Sequence, residues 1–473
     1  MKAGSAVRRL ITNATALAVG GVVAQGTFIF VEALIARRVG LLEYGIYSSS
    51  YVLIVLMSHF MDMGTYWKLV QDGARDPKTL RVNFGTMLVA RLGLFLIAYP
   101  LILGALWWLQ GDSPEVSFFA LFAFFGVQIA TQDLLAAVYT ARQRMSTSAL
   151  FQAAMPVSIL VFVGLLVIPK PTLPRLAFAF ILGAAVITVT WTWLVWKQEK
   201  PLVRLREAGT IMRGCLHYGI SGLVWNAYLR IGVLVLTFVS GAAQVAIFAA
   251  AFKLIDLIFK VAVLANRVVA PRLYADSQHR PENFRSGAEM LLRMTVATST
   301  VGALGLYVAG SWIVTFIYGA NFAASGELIR WLGISLTLKT IALIAQTIIS
   351  AAEDHSHRTR VIAFASLIGI VLTTVLAIRW GAAGATYAVV ASDVILLALL
   401  MWRIQRTRSI TRLGPVFLTP LLAAIACGTV VSYLSLNAVL EAIIALTAFV
   451  AILFASGYLA PVMSTIVGRR TSS

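Results

Sequence analysis

The sequence predicts an all-α polytopic membrane protein with about fourteen transmembrane helices. The 473-residue chain is 60% hydrophobic and 12% charged, with a mean hydropathy of +0.88, whereas soluble domains carry about 25% charged residues. Apolar runs of about twenty residues recur from end to end, and each can cross about 30 Å of hydrocarbon. Because lipid offers the backbone no hydrogen bonds, these runs must be helices, and their continuous apolarity excludes a membrane β-barrel.

Hydropathy also gives the approximate limits of each span. The fourteen predicted spans are residues 12–36, 44–66, 82–109, 116–140, 147–168, 174–197, 213–238, 243–268, 288–317, 325–350, 359–379, 383–402, 415–435 and 438–460. The connections between them are too short to hold a folded extramembrane domain. The basic start of the chain (Lys2, Arg8 and Arg9) precedes a run of spanning length without a convincing cleavage site. We therefore expect a first membrane helix there and not a removed signal.

The formal net charge of +19 mostly reflects topology. With a cytoplasmic N-terminus, 26 of the 38 Arg and Lys residues fall in cytoplasmic segments and 5 in opposite segments. Membrane proteins concentrate basic residues in their cytoplasmic loops, so the sequence predicts cytoplasmic N- and C-termini and no nucleic-acid partner. Cys215 and Cys427 are far apart and have no metal-binding or redox spacing, so we expect no metal and no cofactor.

A short pattern recurs within the chain. Residues 40–47 (GLLEYGIY) and 241–248 (GAAQVAIF) share Gly-x-x-Glu/Gln-x-small-Ile-aromatic at an offset of 201 residues, each between two spans. Two short glycine turns can match by coincidence, but both fall at the same place in a six-helix unit. The pattern therefore predicts two pseudo-symmetric six-helix lobes, 1–205 and 206–402, related by an axis along the membrane normal. A two-helix hairpin and a cytoplasmic tail follow at 403–473.

Four segments carry a family resemblance. They are residues 33–47 (ALIARRVGLLEYGIY), 241–254 (GAAQVAIFAAAFKL), 318–322 (YGANF) and 379–385 (RWGAAGA). In this order, and spread over most of the chain, they resemble segments of the bacterial polysaccharide (Wzx-type) flippases. That family belongs to the multidrug/oligosaccharidyl-lipid/polysaccharide (MOP) transporter superfamily, and the resemblance implies a two-lobed fold that works by alternating access.

The resemblance also implies a substrate and a location. The expected cargo is a polyprenyl-pyrophosphate-linked oligosaccharide repeat unit, moved from the cytoplasmic to the periplasmic leaflet of a bacterial inner membrane. Such transport serves the synthesis of exopolysaccharide, O-antigen or capsule. The implied partners are this anionic lipid, the surrounding membrane lipids, and a polysaccharide polymerase with its chain-length machinery.

Basic residues inside the spans are the first candidate site residues. A charge in the middle of a bilayer costs about 2.5–3.5 kcal/mol or more, so such residues usually face a cavity or a partner. The predicted substrate-binding residues of a cationic cavity are Arg91, Arg230, Lys253, Lys260 and Lys339. Lys253, Asp256 and Lys260 share one face of the eighth span, where one carboxylate cannot neutralise two lysines. Structural ion pairs that fix helix packing are the alternative interpretation.

Acidic residues inside the spans have two interpretations. Outside the first and last four residues of each predicted span, they are Glu32, Asp62, Asp133, Asp256 and Asp393. Each is either a countercharge for the basic residues or a binding site for a coupling proton or cation. Asp62 follows His59 by about one helical turn, and this pair could titrate near neutral pH, although a polar helix end explains it equally well.

Other functions remain open from the sequence. A multidrug or cation exporter of the same superfamily would favour an acidic cavity, whereas the spans, apart from the four residues at each end, hold seven basic and five acidic residues. A peptidoglycan-precursor flippase of that superfamily is a further alternative. A polysaccharide polymerase or glycosyltransferase is more remote, because the sequence has no DxD motif, no His/Cys cluster and no GxxxxGK[ST] nucleotide loop. We therefore expect a secondary transporter and not an enzyme.

Overall fold

The computed structural model describes residues 2–279, 281–351, 355–406, 414–434 and 436–458. In these ranges it contains helices and no strand, as the long apolar runs predict. The helices are α1 (Lys2–Val39), α2 (Leu41–Asp62), α3 (Thr65–Arg75), α4 (Thr79–Gln110), α5 (Pro114–Ala141), α6 (Met145–Leu166), α7 (Leu173–Glu199), α8 (Leu205–Val239), α9 (Ala242–His279), α10 (Pro281–Tyr318), α11 (Ser325–Ala351), α12 (His355–Arg406), α13 (Gly414–Ser432) and α14 (Ala438–Ala455). A 3₁₀ turn, Ala320–Phe322, precedes α11. The predicted C-terminal tail, from residue 459 onward, lies outside the described residues.

Eleven segments of the described chain are long and apolar enough to cross a membrane. One of them lies in α12, where Gly381 has non-helical angles (φ 54°, ψ −131°) between the predicted spans 359–379 and 383–402. The predicted span 243–268 corresponds to α9, and α13 has a shorter apolar stretch, Val416–Ser432. The predicted all-α polytopic fold is confirmed.

One predicted span ends differently from expectation. The second span was predicted as 44–66, but α2 ends at Asp62 and a separate helix, α3, begins at Thr65. Met63 (φ 39°) and Gly64 (φ 84°) both adopt left-handed backbone angles between the two helices. Left-handed residues end a helix and redirect the chain, so α3 is an element that hydropathy alone did not predict.

The chain folds into two compact units, Met1–Ala246 (unit 1) and Ile247–Ser473 (unit 2). In unit 1, α1 packs on α6, α6 on α7, and α2 lies against α5 and α8. Large buried side chains fill this unit, and the rings of Trp191 and Phe151 stack at 4.7 Å. The predicted repeat boundaries, 1–205, 206–402 and 403–473, concern the symmetry of the chain and stay a prediction.

Unit 2 is organised around α10, which packs against α11, α13 and α14. Leu304 of α10, Cys427 of α13 and Phe449 of α14 belong to one buried apolar cluster. The Tyr458 hydroxyl donates to the carbonyl of Val416 at 2.8 Å, which ties the end of α14 to the start of α13. The two helices of the predicted C-terminal hairpin therefore pack on each other and on α10.

Candidate functional site

Arg91 of α4 is a buried cation, with a side chain that is 1% exposed. Its Nη2 atom forms an ion pair with the carboxylate of Asp62, the last residue of α2. Its Nε atom donates to Thr65 Oγ1 at 2.8 Å, and its Nη1 atom donates to the carbonyl of Ala130 on α5. The guanidinium thus links α4 to three other helices, and a carboxylate of the same unit neutralises its charge.

Asp62 also builds the turn between α2 and α3. Its carboxylate accepts hydrogen bonds from the backbone N–H groups of Gly64 at 3.2 Å and Tyr66 at 3.0 Å, and from Thr65 Oγ1 at 3.0 Å. A carboxylate at this position satisfies amides that have no partner within the helix and faces the positive end of the helix dipole. Asp62 therefore serves as a countercharge and as a helix cap, and binding of a coupling ion there stays a prediction.

Arg230 of α8 is held differently from Arg91. Its Nη1 atom has only long hydrogen bonds to Asn226 of the same helix, 3.5 Å to the carbonyl and 3.4 Å to Oδ1. It is partly buried and forms no ion pair with any carboxylate in the described part of the chain. Of the two predicted substrate-binding cations in unit 1, it is therefore the one with a charge that no described acid neutralises.

His59 and Asp133 lie near these two arginines. The His59 ring bonds through Nδ1 to the carbonyl of Val55 at 2.7 Å and interacts electrostatically with Arg230, Arg91 and Asp62. Asp133 of α5 has an exposed side chain and interacts electrostatically with Arg91. Three predicted residues therefore act electrostatically on His59 (Asp62 of α2, Arg91 of α4 and Arg230 of α8), and one acts on Arg91 (Asp133 of α5).

Glu32 belongs to a separate cluster between α1 and α2. Its side chain is 2% exposed, and its two oxygens accept hydrogen bonds from the hydroxyls of Tyr44 at 2.9 Å and Tyr47 at 2.7 Å. The two tyrosines sit at the opposite end of α2 from Asp62. The structure therefore does not bring Glu32 together with Asp62, although both were predicted as countercharges or coupling residues.

In unit 2, Lys339 of α11 and Asp393 of α12 form an ion pair at 3.6 Å, with side chains 4% and 1% exposed. Ser335, one turn before Lys339, donates to the Asp393 carboxylate. The Lys339 ammonium also lies 4.8 Å from the centre of the Phe252 ring, a cation–π contact. This pair joins α11 to α12 in the way that Arg91 and Asp62 join α4 to α2.

The remaining predicted residues lie on α9. Lys260 and Asp256 form an ion pair at 3.2 Å, and their side chains are 41% and 26% exposed. Lys253 is partly buried on the preceding turn. Because the pair is part-exposed, it is weaker than the buried Lys339–Asp393 pair, and it stays reachable from outside the helix packing.

Sequence reasoning missed the neutral residues that complete these clusters. They are Tyr44, Tyr47, Thr65, Ser335 and Phe252. Some had a local signal, because Tyr44 and Tyr47 share a helix face and Thr65 follows Asp62 at a capping distance. Contacts between helices, such as Phe252 with Lys339, have no such signal within one sequence.

A family model for polysaccharide biosynthesis proteins matches residues 10–275, more than half of the chain. A comparison with curated proteins gives no match. Solved structures give fold matches over most of the chain, at identities of 13–14% that show the fold alone.

One such structure is the lipid II flippase MurJ in an inward closed conformation. It has a TM-score of 0.77 and 14% identity, and the match covers 94% of this chain and 99% of that one. An inward-facing multidrug resistance MATE transporter of the MOP superfamily has a TM-score of 0.68 and 13% identity, covering 81% and 94%. A MOP superfamily transporter from Pyrococcus furiosus has a TM-score of 0.62 and 14% identity, covering 83% and 95%. The fold is therefore that of MOP transporters.

Proposed function

Because the chain belongs to the polysaccharide biosynthesis protein family, we propose that it is a flippase for a polyprenyl-pyrophosphate-linked oligosaccharide repeat unit. It would move this lipid from the cytoplasmic to the periplasmic leaflet of a bacterial inner membrane, for exopolysaccharide, O-antigen or capsule synthesis. The family and the transporter fold support transport of a polysaccharide precursor. The anionic headgroup is an inference from the charges inside the spans.

The proposal of an anionic substrate rests on Arg230 and on its lack of an acidic partner among the described residues. Its guanidinium lies within a candidate membrane span, and no carboxylate in the described chain pairs with it. An uncompensated charge at this depth is costly, and in transporters such a residue marks a substrate pathway. A pyrophosphate offers oxygens for bidentate, charge-assisted hydrogen bonds with a guanidinium. We therefore assign Arg230 as the central headgroup contact.

The predicted cations then divide into two roles. Arg230 is proposed to contact the headgroup, because no described acid pairs with it, whereas Lys253 and the part-exposed Lys260 stay predicted substrate-binding residues of unit 2. Arg91 and Lys339 are proposed to fix helix packing through their buried partners on other helices. This division narrows the cationic cavity expected from sequence, and the variants below test it.

Transport is proposed to occur by alternating access. An ion gradient or the membrane potential is proposed to supply the energy, because the sequence has no nucleotide-binding loop. The pyrophosphate would bind to cations inside the protein, and the polyprenyl tail would stay in the lipid. The apolar tail then never leaves the hydrocarbon of the bilayer. Only the polar headgroup has to cross inside the protein.

Deletion of the gene tests the proposed function. Lipid-linked repeat units should accumulate in the cytoplasmic leaflet, and polymer export should stop. Arg230→Gln should fail to restore export while reaching normal levels in the membrane. Arg330→Gln is the matched control, because Arg330 is an exposed arginine of α11 that lies 5.8 Å from the Tyr307 ring, and it should restore export. Full export by the Arg230 variant would refute the assigned headgroup site.

A second candidate is a flippase for a peptidoglycan precursor. The match to MurJ covers 94% of this chain, against 81% for the multidrug transporter, and so extends over more of the described helices. The same deletion separates the two candidates. A peptidoglycan precursor, and not a polysaccharide repeat unit, would then accumulate, and growth would fail instead of polymer export.

A further inference from the structure

His59 lies beside the proposed anion site and has no role in the function described so far. It is on α2, and α2 packs against α1, α4, α5 and α8. Of the charged groups on these elements, three act electrostatically on His59 (Arg230 on α8, Asp62 on α2 and Arg91 on α4), and Asp133 on α5 acts on Arg91. Glu32 is at the far end of α2, where it bonds to two tyrosines.

The charged groups near His59 differ in the partners that they already have. Asp62 is committed to the Arg91 guanidinium and to three donors at the start of α3. Asp133 interacts with Arg91. Arg230 interacts with His59 but forms no ion pair with a carboxylate in the described ranges. An anion that binds at Arg230 would therefore add negative charge next to a group that acts electrostatically on His59.

The ring of His59 is set to accept a proton at one defined atom. A carbonyl oxygen only accepts hydrogen bonds, so the 2.7 Å contact with Val55 makes Nδ1 the donor. The remaining ring nitrogen, Nε2, can then be protonated without loss of this bond. The ring thus keeps its position in both protonation states, and its charge alone changes.

We infer that His59 takes up a proton at Nε2 when an anionic headgroup binds at Arg230. The negative charge of the headgroup favours the imidazolium, and the imidazolium in turn favours the headgroup. Such a coupling is reciprocal, so the affinity for the anion must depend on pH by the same amount that anion binding changes proton uptake. This inference rests on the proposed function, because it needs an anion at Arg230, and it adds a proton to the substrate-bound state.

Calorimetry with inorganic pyrophosphate tests this inference. The purified full-length protein in detergent is titrated in two buffers with different heats of ionisation, which gives the number of protons taken up per anion. At a pH where His59 is neutral in the free protein, wild type should take up as much as one proton more than His59→Gln. The difference between the two proteins removes the titration of pyrophosphate itself.

The affinity for pyrophosphate gives an independent readout. Between pH of about 8 and about 6, the affinity of wild type relative to His59→Gln should rise, by at most about tenfold per pH unit for one linked proton. His59→Asn serves as a second variant, and thermal unfolding shows that each variant is folded. Arg230→Gln keeps His59 and should lose both the binding and the extra proton.

The possible failures are distinguishable. Pyrophosphate binding that needs Arg230 but has equal proton uptake in wild type and both His59 variants would overturn the role of His59 and leave the proposed function intact. Wild type that does not bind pyrophosphate, or that binds it as well as Arg230→Gln does, would overturn the anion site at Arg230 and the inference with it.

Discussion

Charged side chains in this protein differ in what their removal leaves behind. Loss of Arg91 would leave the Asp62 carboxylate in a packed site with only neutral donors. Loss of Arg330 would leave nothing unpaired among the described residues, because its exposed guanidinium contacts a tyrosine ring and no described acid. Removal of one partner from a buried pair should therefore destabilise the fold, whereas the charges proposed to meet the substrate are less tightly held.

We expect Arg91→Met to lower the free energy of unfolding by about 3–5 kcal/mol, the usual cost of breaking a buried ion pair from one side. Arg330→Gln, the control, should change it by less than about 0.5 kcal/mol. The unfolding of detergent-purified proteins measures both. The double variant, Arg91→Met with Asp62→Asn, should lose less free energy of unfolding than the sum of the losses in the two single variants, because the two residues contact each other. Additive losses would contradict the ion pair.

The presence of these charges was predictable from sequence, but their pairing was not. Arg91 and Lys339 are evident because each interrupts an apolar run. Their partners, Asp62 and Asp393, lie on other helices, and neither basic residue has an acid within one turn of its own helix. Helix packing decides which side chains meet, and the spacing of residues in one sequence carries no direct record of it.

At the scale of elements, each unit has a buried polar pair between two packed helices. In unit 1, Gln132 of α5 donates to Thr188 Oγ1 of α7 at 2.8 Å. In unit 2, Lys339 of α11 and Asp393 of α12 form the ion pair. In the predicted repeat these positions belong to the fourth and sixth spans of each lobe. On this prediction, equivalent crossings carry a neutral pair in one unit and an ionic pair in the other.

The break between α2 and α3 is packed closely against α8. A Cβ added at Gly219 would lie 2.3 Å from the backbone carbonyl carbon of Met63, and one added at Gly64 would lie 2.5 Å from the carbonyl oxygen of Cys215. Gly64 also has φ 84°, which side chains rarely adopt. At both positions the nearest atoms belong to the backbone of the other segment, so neither position has room for a methyl group.

We expect Gly219→Ala to destabilise the protein by about 1–3 kcal/mol, because a backbone segment must shift to admit the methyl group. Gly222→Ala is the matched control on the same helix, since nothing lies within 4 Å of its added Cβ. Alanine is the better helix former, so the control should be neutral or more stable by up to about 1 kcal/mol. Thermal unfolding compares the two, and a stable Gly219 variant would show that α8 does not pack tightly on the break.

The same break shows the limit of hydropathy at this scale. The predicted spans agree with the helices because a run of apolar residues in lipid can only be helical. A change of direction at Met63 and Gly64 leaves the hydropathy of the surrounding window almost unchanged. The predicted second span therefore continues past Asp62, and hydropathy gives no sign of the cap that Asp62 provides for α3.

At the scale of the whole molecule, the distribution of basic residues predicts the orientation in the membrane. The predicted split of 26 to 5 between the two sides places the N-terminus in the cytoplasm. This orientation stays a prediction. Orientation matters for function, because it decides which leaflet supplies the substrate.

Cysteine labelling tests the orientation directly. The wild-type protein should react little with the maleimide, because Cys215 and Cys427 are buried, with exposed fractions of 0% and 4%. Ala74, at the end of α3, and Ala324, before α11, are both exposed and allow the same Ala→Cys change. With a cytoplasmic N-terminus, a membrane-impermeant maleimide should label Ala324→Cys in intact spheroplasts and label Ala74→Cys only after permeabilisation.

The reverse pattern would invert the topology and the proposed direction of transport. Labelling of both cysteines in intact cells would show that the number of spans between them is wrong.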